Sequence, residues 1–205
     1  MRSLPTLLCL LACVPALRAE SVPAPAPAAV TQAEADYLKK IDQRATDIVG
    51  KLQLTDEAKT AAVKAIVVGQ YLKLREWQEA NEAQLRTLRK DPALKEQADA
   101  LLGTRTKLRE AFLKSLGEHL TGRQIDVIKD GMTYGKVQFT WNGYLTQNPW
   151  LNEEEKARVL TWLLEARDEA IDGGSADEKS DIFNRYKGKI ANYLAKRQQS
   201  KPAKK

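Results

Sequence analysis

The chain has 205 residues, with 33 basic and 27 acidic side chains and a formal charge of +6, which falls to +4 once Arg2 and Arg18 leave with a leader. Lys201, Lys204 and Lys205 supply most of the remainder, and elsewhere Lys and Arg alternate with Asp and Glu, so a basic face for nucleic acid is not expected. Cys9 and Cys13 are the two cysteines, both near the N-terminus; everything after them lacks a thiol for a disulfide, a zinc cluster or a nucleophile.

Arg2, the apolar run Leu4 to Leu17 broken at Pro5 and Pro15, and Ala19 ahead of the first acid Glu20 read as a secretory signal, residues 1–19, cut after Ala19. The run is shorter than the roughly 20 residues that span a bilayer, and no later stretch is long and uncharged enough. A lipoprotein signal on Leu10, Leu11, Ala12 and Cys13 is the alternative, with Leu11 an unusual occupant. The expectation is a soluble periplasmic or secreted protein with no transmembrane segment. Residues 20–30, where Pro23, Pro25 and Pro27 alternate with alanine, read as an extended spacer. Residues 31–197 suffice for one domain with its own core, and 198–205 read as a disordered basic tail.

Within that domain the apolar residues recur at helical spacing: Val63, Ile66, Val67, Leu74 and Trp77, then Leu94, Ala98, Leu101, Leu108, Phe112 and Leu116. Thr121 with Gln124, Asn152 with Glu155, and Ser175 with Glu178 each fit a capping box, and Leu120 is placed to staple onto Ile125. Asp91 before Pro92 fits an N-cap with a first-turn proline. The expected fold is all-α, a single domain of six helices near Gln32–Lys51, Asp56–Arg89, Pro92–His119, Gly122–Lys129, Glu153–Ile171 and Ala176–Lys196.

From Asp130 to Trp150 the helical period stops. Val137, Phe139 and Trp141 alternate with Lys136, Gln138 and Thr140 ahead of the turn-prone pair Asn142 and Gly143, which predicts a long loop or small hairpin. Five of the thirteen aromatic residues fall in it, so it is either a ligand platform or a loop with its own small core.

The runs Lys129-Asp130-Gly131-Met132-Thr133-Tyr134-Gly135, Gly143-Tyr144, Glu165-Ala166-Arg167, Tyr186-Lys187-Gly188-Lys189-Ile190 and Asn192-Tyr193-Leu194 resemble the domain of unknown function 3826 family of bacterial proteins, loosely described as sugar-binding. The resemblance is strong over residues 119–194 and faint before them. It implies export, a helical fold and an association with carbohydrate use, and it carries over no catalytic residue. Trp141 and Asn142 depart from the family pattern, which has another aromatic and a different polar residue there.

Sugar sites pair an aromatic face with amides or charges that satisfy hydroxyls. The candidate ligand residues are Tyr134, Trp141, Tyr144 and Trp150 as platforms, with Asp130, Asn142 and Lys187 as polar contacts. Catalysis has less to rest on. His119, the one histidine, ends a helix, and the acid pairs Asp126/Asp130 and Asp168/Asp172 are four apart on one helix face rather than across a cleft. No cofactor or metal site is expected, although a lyase using Lys or Tyr as base leaves no spacing signature. The reading is a non-catalytic exported protein with an oligosaccharide as its partner. The alternative is a helical chaperone of other exported proteins, since Leu120-Thr121-Gly122-Arg123-Gln124 matches the LTxxQ pattern of Spy-type periplasmic chaperones and Leu54-Thr55-Asp56-Glu57 echoes it; an assembly role is a third possibility.

Overall fold

The computed structural model describes residues 31–199, which form seven α-helices and one short 3-10 turn, with no strand among them. The helices are α1 (Gln32–Gly50), α2 (Glu57–Leu88), α3 (Lys95–Gly117), α4 (Gly122–Met132), α5 (Lys136–Gln147), α6 (Glu153–Ala170) and α7 (Ala176–Gln199). The expected signal peptide and spacer, and residues 200–205 of the tail, lie outside the described residues. No described helix is long and apolar enough to cross a membrane.

Side-chain caps start most of these helices. Thr31 Oγ1 accepts from the Glu34 amide and Asp56 Oδ1 from the Lys59 amide. The capping boxes of α4 and α6 form in full, on Thr121 with Gln124 and Asn152 with Glu155. Ser175 Oγ accepts from the Glu178 amide, but the Glu178 carboxylate turns instead to the Gly174 amide and to Arg105. Asp91 caps the 3-10 turn Pro92–Leu94, which runs directly into α3.

Two cores result. Ile41, Val63, Val67, Phe112, Leu116 and Ile128 join α1 to α4. Val159, Leu163, Ile182, Phe183 and Ile190 lock α6 to α7, with Val137 attaching α5. A small third cluster of Leu85, Leu88 and Ala98 closes the far end of the α2–α3 hairpin.

A polar seam joins the two main cores. Arg167 of α6, 5 % exposed, reaches three carboxylates: Asp126 at 2.6 Å, Asp130 at 3.1 Å and its neighbour Asp168 at 3.2 Å. Lys129 meets Asp168 at 3.1 Å, Arg109 meets Asp172 at 2.7 Å and Arg105 meets Glu178 at 2.7 Å. The pairs run from α3 and α4 to α6, the α6–α7 connection and α7, so they set how one apolar body sits on the other; fixing an arrangement is the role such buried charges fill better than adding net stability.

The expected loop over 130–150 is a correction. Among the described residues there are seven helices rather than six, because residues 136–147 form α5, and there is no long aromatic loop or hairpin. Val137, Trp141 and Tyr144 stand at i, i+4 and i+7, a helical stripe packed on the second core. Phe139, two residues from both Val137 and Trp141, faces the opposite side, so the apparent strand alternation is two faces of one helix. Asn142 and Gly143 lie inside this helix, with Gln138 Nε2 donating to Asn142 Oδ1 at 2.7 Å. The real break is three residues long. Tyr134 (φ 59°) and Gly135 (φ 65°) both take the left-handed conformation, and the Gly135 amide donates back to the Asp130 carbonyl at 2.8 Å, ending α4 as a left-handed C-terminal cap does.

Candidate functional site

Turning residues 136–147 into a helix redistributes the expected site. The outer face of α5 and the facing stretch of α7 enclose an open groove of about 540 Å³, floored by Phe139, Asn142, Gly143 and Tyr144 and edged by Gln147 and Lys187. Thr140 and Thr146 complete its rim. Phe139, Asn142, Gly143 and Thr146 stand at i, i+3, i+4 and i+7 on one face, and Thr140, Tyr144 and Gln147 at i, i+4 and i+7 on the adjoining flank.

Phe139 is 82 % exposed, the most exposed large apolar side chain of the described core and surface. Around it stand two primary amides, Asn142 and Gln147, and two hydroxyls, Thr140 and Thr146. The Thr146 hydroxyl donates to the Asn142 backbone carbonyl at 2.9 Å, and Asn142 Oδ1 accepts from Gln138, which leaves the Asn142 amide N–H₂ without a partner among the described residues. Tyr144 is half-buried; its hydroxyl lies 3.5 Å from the Lys187 carbonyl of α7, and burial raises its pKa above the ordinary phenol value, so it acts as a neutral donor at physiological pH.

Of the residues singled out in the sequence, Asn142, Tyr144 and Lys187 come together in this groove. Trp141 and Trp150 pack against the second core as partly buried rings. Asp130 is bonded to Arg167. Tyr134 lines a different cavity, between α1, α2 and α7. Phe139, Thr140, Gly143, Thr146 and Gln147 are groove residues absent from the sequence-derived set; reading 136–147 at helical rather than strand period would have put Phe139, Gly143 and Thr146 on one face with Asn142, and Thr140 and Gln147 on a flank with Tyr144.

The acid pairs singled out in the sequence are engaged in ion pairs, although Asp172 Oδ1 is buried without a hydrogen-bond partner. Asp126 and Asp130 do share a helix face, as their spacing predicts, and that face meets Arg167. Asp172 is bonded to Arg109, which also donates to the Asp168 carbonyl. His119 lies partly exposed beside Asp56 and Lys59 in a shallow surface depression. Among the described residues no group of three or more His, Cys, Asp or Glu is placed to hold a metal ion.

Residues 38–201 match the family described as "Protein of unknown function (DUF3826)". The chain belongs to this family. The match starts inside α1 and runs through α7, so both cores, the polar seam and the groove are all part of the family region. No curated protein matches the chain.

Proposed function

We propose that this is an exported, non-catalytic carbohydrate-binding protein whose saccharide lies in the groove between α5 and α7. The observation that carries the reading is Phe139, an almost fully exposed ring surrounded by amides and hydroxyls rather than by other apolar groups. Leaving a phenylalanine in water forgoes about 1.5–3 kcal/mol of burial. A pyranose covers such a ring with its apolar C–H face while its hydroxyls meet Asn142, Gln147 and Thr140. Lys187 at the edge favours a ligand that is neutral or acidic over one that is basic.

No carboxylate lines this groove, so a glycosidic bond lying in it would meet neither the acid nor the base that hydrolysis needs. Export rests on the signal-like residues 1–19 alone. The chaperone reading has less support: the exposed large aliphatic residues Leu38, Leu72 and Leu164 fall singly on α1, α2 and α6, rather than as a stripe that would hold an unfolded client. Thr121 and Gln124, the core of the LTxxQ match, are accounted for by the capping box of α4.

The test is a titration of the chain lacking residues 1–19 against neutral and acidic plant and bacterial oligosaccharides, read by isothermal titration calorimetry, with Phe139→Ala alongside. Alanine at an exposed helical position is well tolerated, so the variant isolates the ring. Saturable binding weakened about tenfold or more, some 1.4 kcal/mol, supports the groove. A flat response across the panel, or binding indifferent to the substitution, rules it out.

A further inference from the structure

The cavity between α1, α2, the α4–α5 turn and the start of α7 has a different chemistry from the groove. It is smaller, about 250 Å³. The ionisable side chains lining it are four cations, Lys40, Arg44, Arg75 and Lys179, and three tyrosines, Tyr37, Tyr71 and Tyr134, with no Asp or Glu. Four positive charges around a small, partly enclosed space raise the local potential far more than the same charges spread over a surface.

Their own partners answer them only in part. Arg75 is answered by Glu34 at 2.8 Å and Glu79 at 2.7 Å, yet its Nη1 is buried without a hydrogen-bond partner. Arg44 and Lys40 meet no carboxylate among the described residues; the Arg44 guanidinium lies 5.7 Å from the Tyr71 ring and 5.8 Å from the Tyr134 ring. Lys179 is 3 % exposed, and its ammonium donates to the Met132 carbonyl at 2.9 Å, one acceptor for a group with three donors. The acids that act on it, Asp172 and Glu178, are bonded to Arg109 and Arg105.

The wall of this cavity carries one of the two non-glycine residues with positive φ among the described residues. Tyr134 adopts φ 59°, a conformation that costs a non-glycine residue about 1–2 kcal/mol. It places a half-exposed ring within reach of Arg44. The left-handed turn that caps α4 sets this conformation, and it brings the ring to the wall of the cavity.

We propose that this cavity binds a small oxyanion, a carboxylate, sulfate or phosphate group, clasped by Arg44, Arg75 and Lys179 with the tyrosine hydroxyls as neutral donors. The site is independent of the saccharide groove. An oxyanion supplies acceptors for Arg75 Nη1 and for the Lys179 ammonium together, in the charge-assisted bonds that guanidinium groups make with such ligands.

The test is calorimetric titration of the chain lacking residues 1–19 with acetate, sulfate and inorganic phosphate at constant ionic strength, with acetamide as the uncharged control. The expected result is saturable binding of at least one anion and none of acetamide, with the preferred anion separating a carboxylate from a tetrahedral group. Arg44→Met weakens that binding about tenfold or more. Tyr134→Gly removes the ring beside Arg44 and so weakens binding several-fold, while glycine's ease at positive φ keeps the melting temperature from falling. Phe139→Ala leaves it unchanged, which separates this site from the groove. Absence of binding by all three anions overturns the proposal, as does binding indifferent to both Arg44→Met and Tyr134→Gly.

Discussion

Replacing Arg167 by methionine tests how the two cores are joined. Methionine keeps most of the buried stem and removes only the guanidinium that holds Asp126, Asp130 and Asp168. Breaking a fully buried ion pair costs about 3–5 kcal/mol because a charge is stranded. Here the arginine side chain is 6 % exposed but its three partners are 46–53 % exposed, so the orphaned carboxylates can turn to water, and what is lost is their charge-assisted hydrogen bonding plus their mutual repulsion. A loss of about 2–3 kcal/mol follows from discounting the buried value for that exposure. At roughly 2–4 °C per kcal/mol for a domain of this size, the melting temperature falls by about 5–10 °C. Urea unfolding followed by circular dichroism measures it, and raising the salt should return part of the loss by screening Asp126, Asp130 and Asp168 from one another. A loss under about 0.5 kcal/mol, in the range of an ordinary surface substitution, would refute the view that this arginine sets the junction.

Gly131→Ala is expected to destabilise by about 1–3 kcal/mol, since an added Cβ lies 2.9 Å from both γ carbons of the buried Ile48; urea unfolding checks it, and combining it with Ile48→Ala should cost less than the two single losses added. Burial raises the Asp172 pKa to about 6 from 3.8, with Arg109 opposing. A folded pKa above the unfolded one means the folded state holds the proton more tightly, so this contribution is present below about pH 4 and lost as pH rises through 6. The wild-type stability, measured against Asp172→Asn across pH 4–7, should therefore decline by up to about 3 kcal/mol; a flat difference contradicts it. Burial likewise lowers Lys179 to about 8 from 10.5, with Arg44 adding to it. Its contribution is present above pH 10.5 and lost as pH falls through 8, so stability relative to Lys179→Met should rise with pH between those values, as read by thermal melts in matched buffers.

Much of the architecture was legible because caps and apolar periods are local signals. Thr121 with Gln124 and Asn152 with Glu155 marked helix starts that form as capping boxes, and the stripe Val63, Val67, Leu74 lies buried in α2. The segment from Lys136 to Gln147 was misread for an equally local reason. Its inner stripe is Val137, Trp141 and Tyr144, but the exposed Phe139 falls between the first two and imitates strand alternation, while Asn142 and Gly143 imitate a turn. A ring left in water is what periodicity cannot anticipate, since the pattern assumes apolar residues face the core, and Phe139 is the residue on which the functional reading rests. The cationic cavity was illegible for another reason: Lys40, Arg44, Arg75, Tyr134 and Lys179 come from four separate stretches of chain, and only the packing of α1, α2 and α7 around the Tyr134–Gly135 turn brings them together.

The most direct measurement of the central claim is an NMR titration of the isotope-labelled protein lacking residues 1–19 with the saccharide that binds most tightly in the calorimetric panel. The account predicts that backbone amide shifts concentrate at Phe139, Thr140, Gly143, Gln147 and Lys187, along the facing stretches of α5 and α7, and that α2 and α3 stay still. Shifts centred elsewhere, or spread evenly over the helices, would contradict a saccharide site on the outer face of α5.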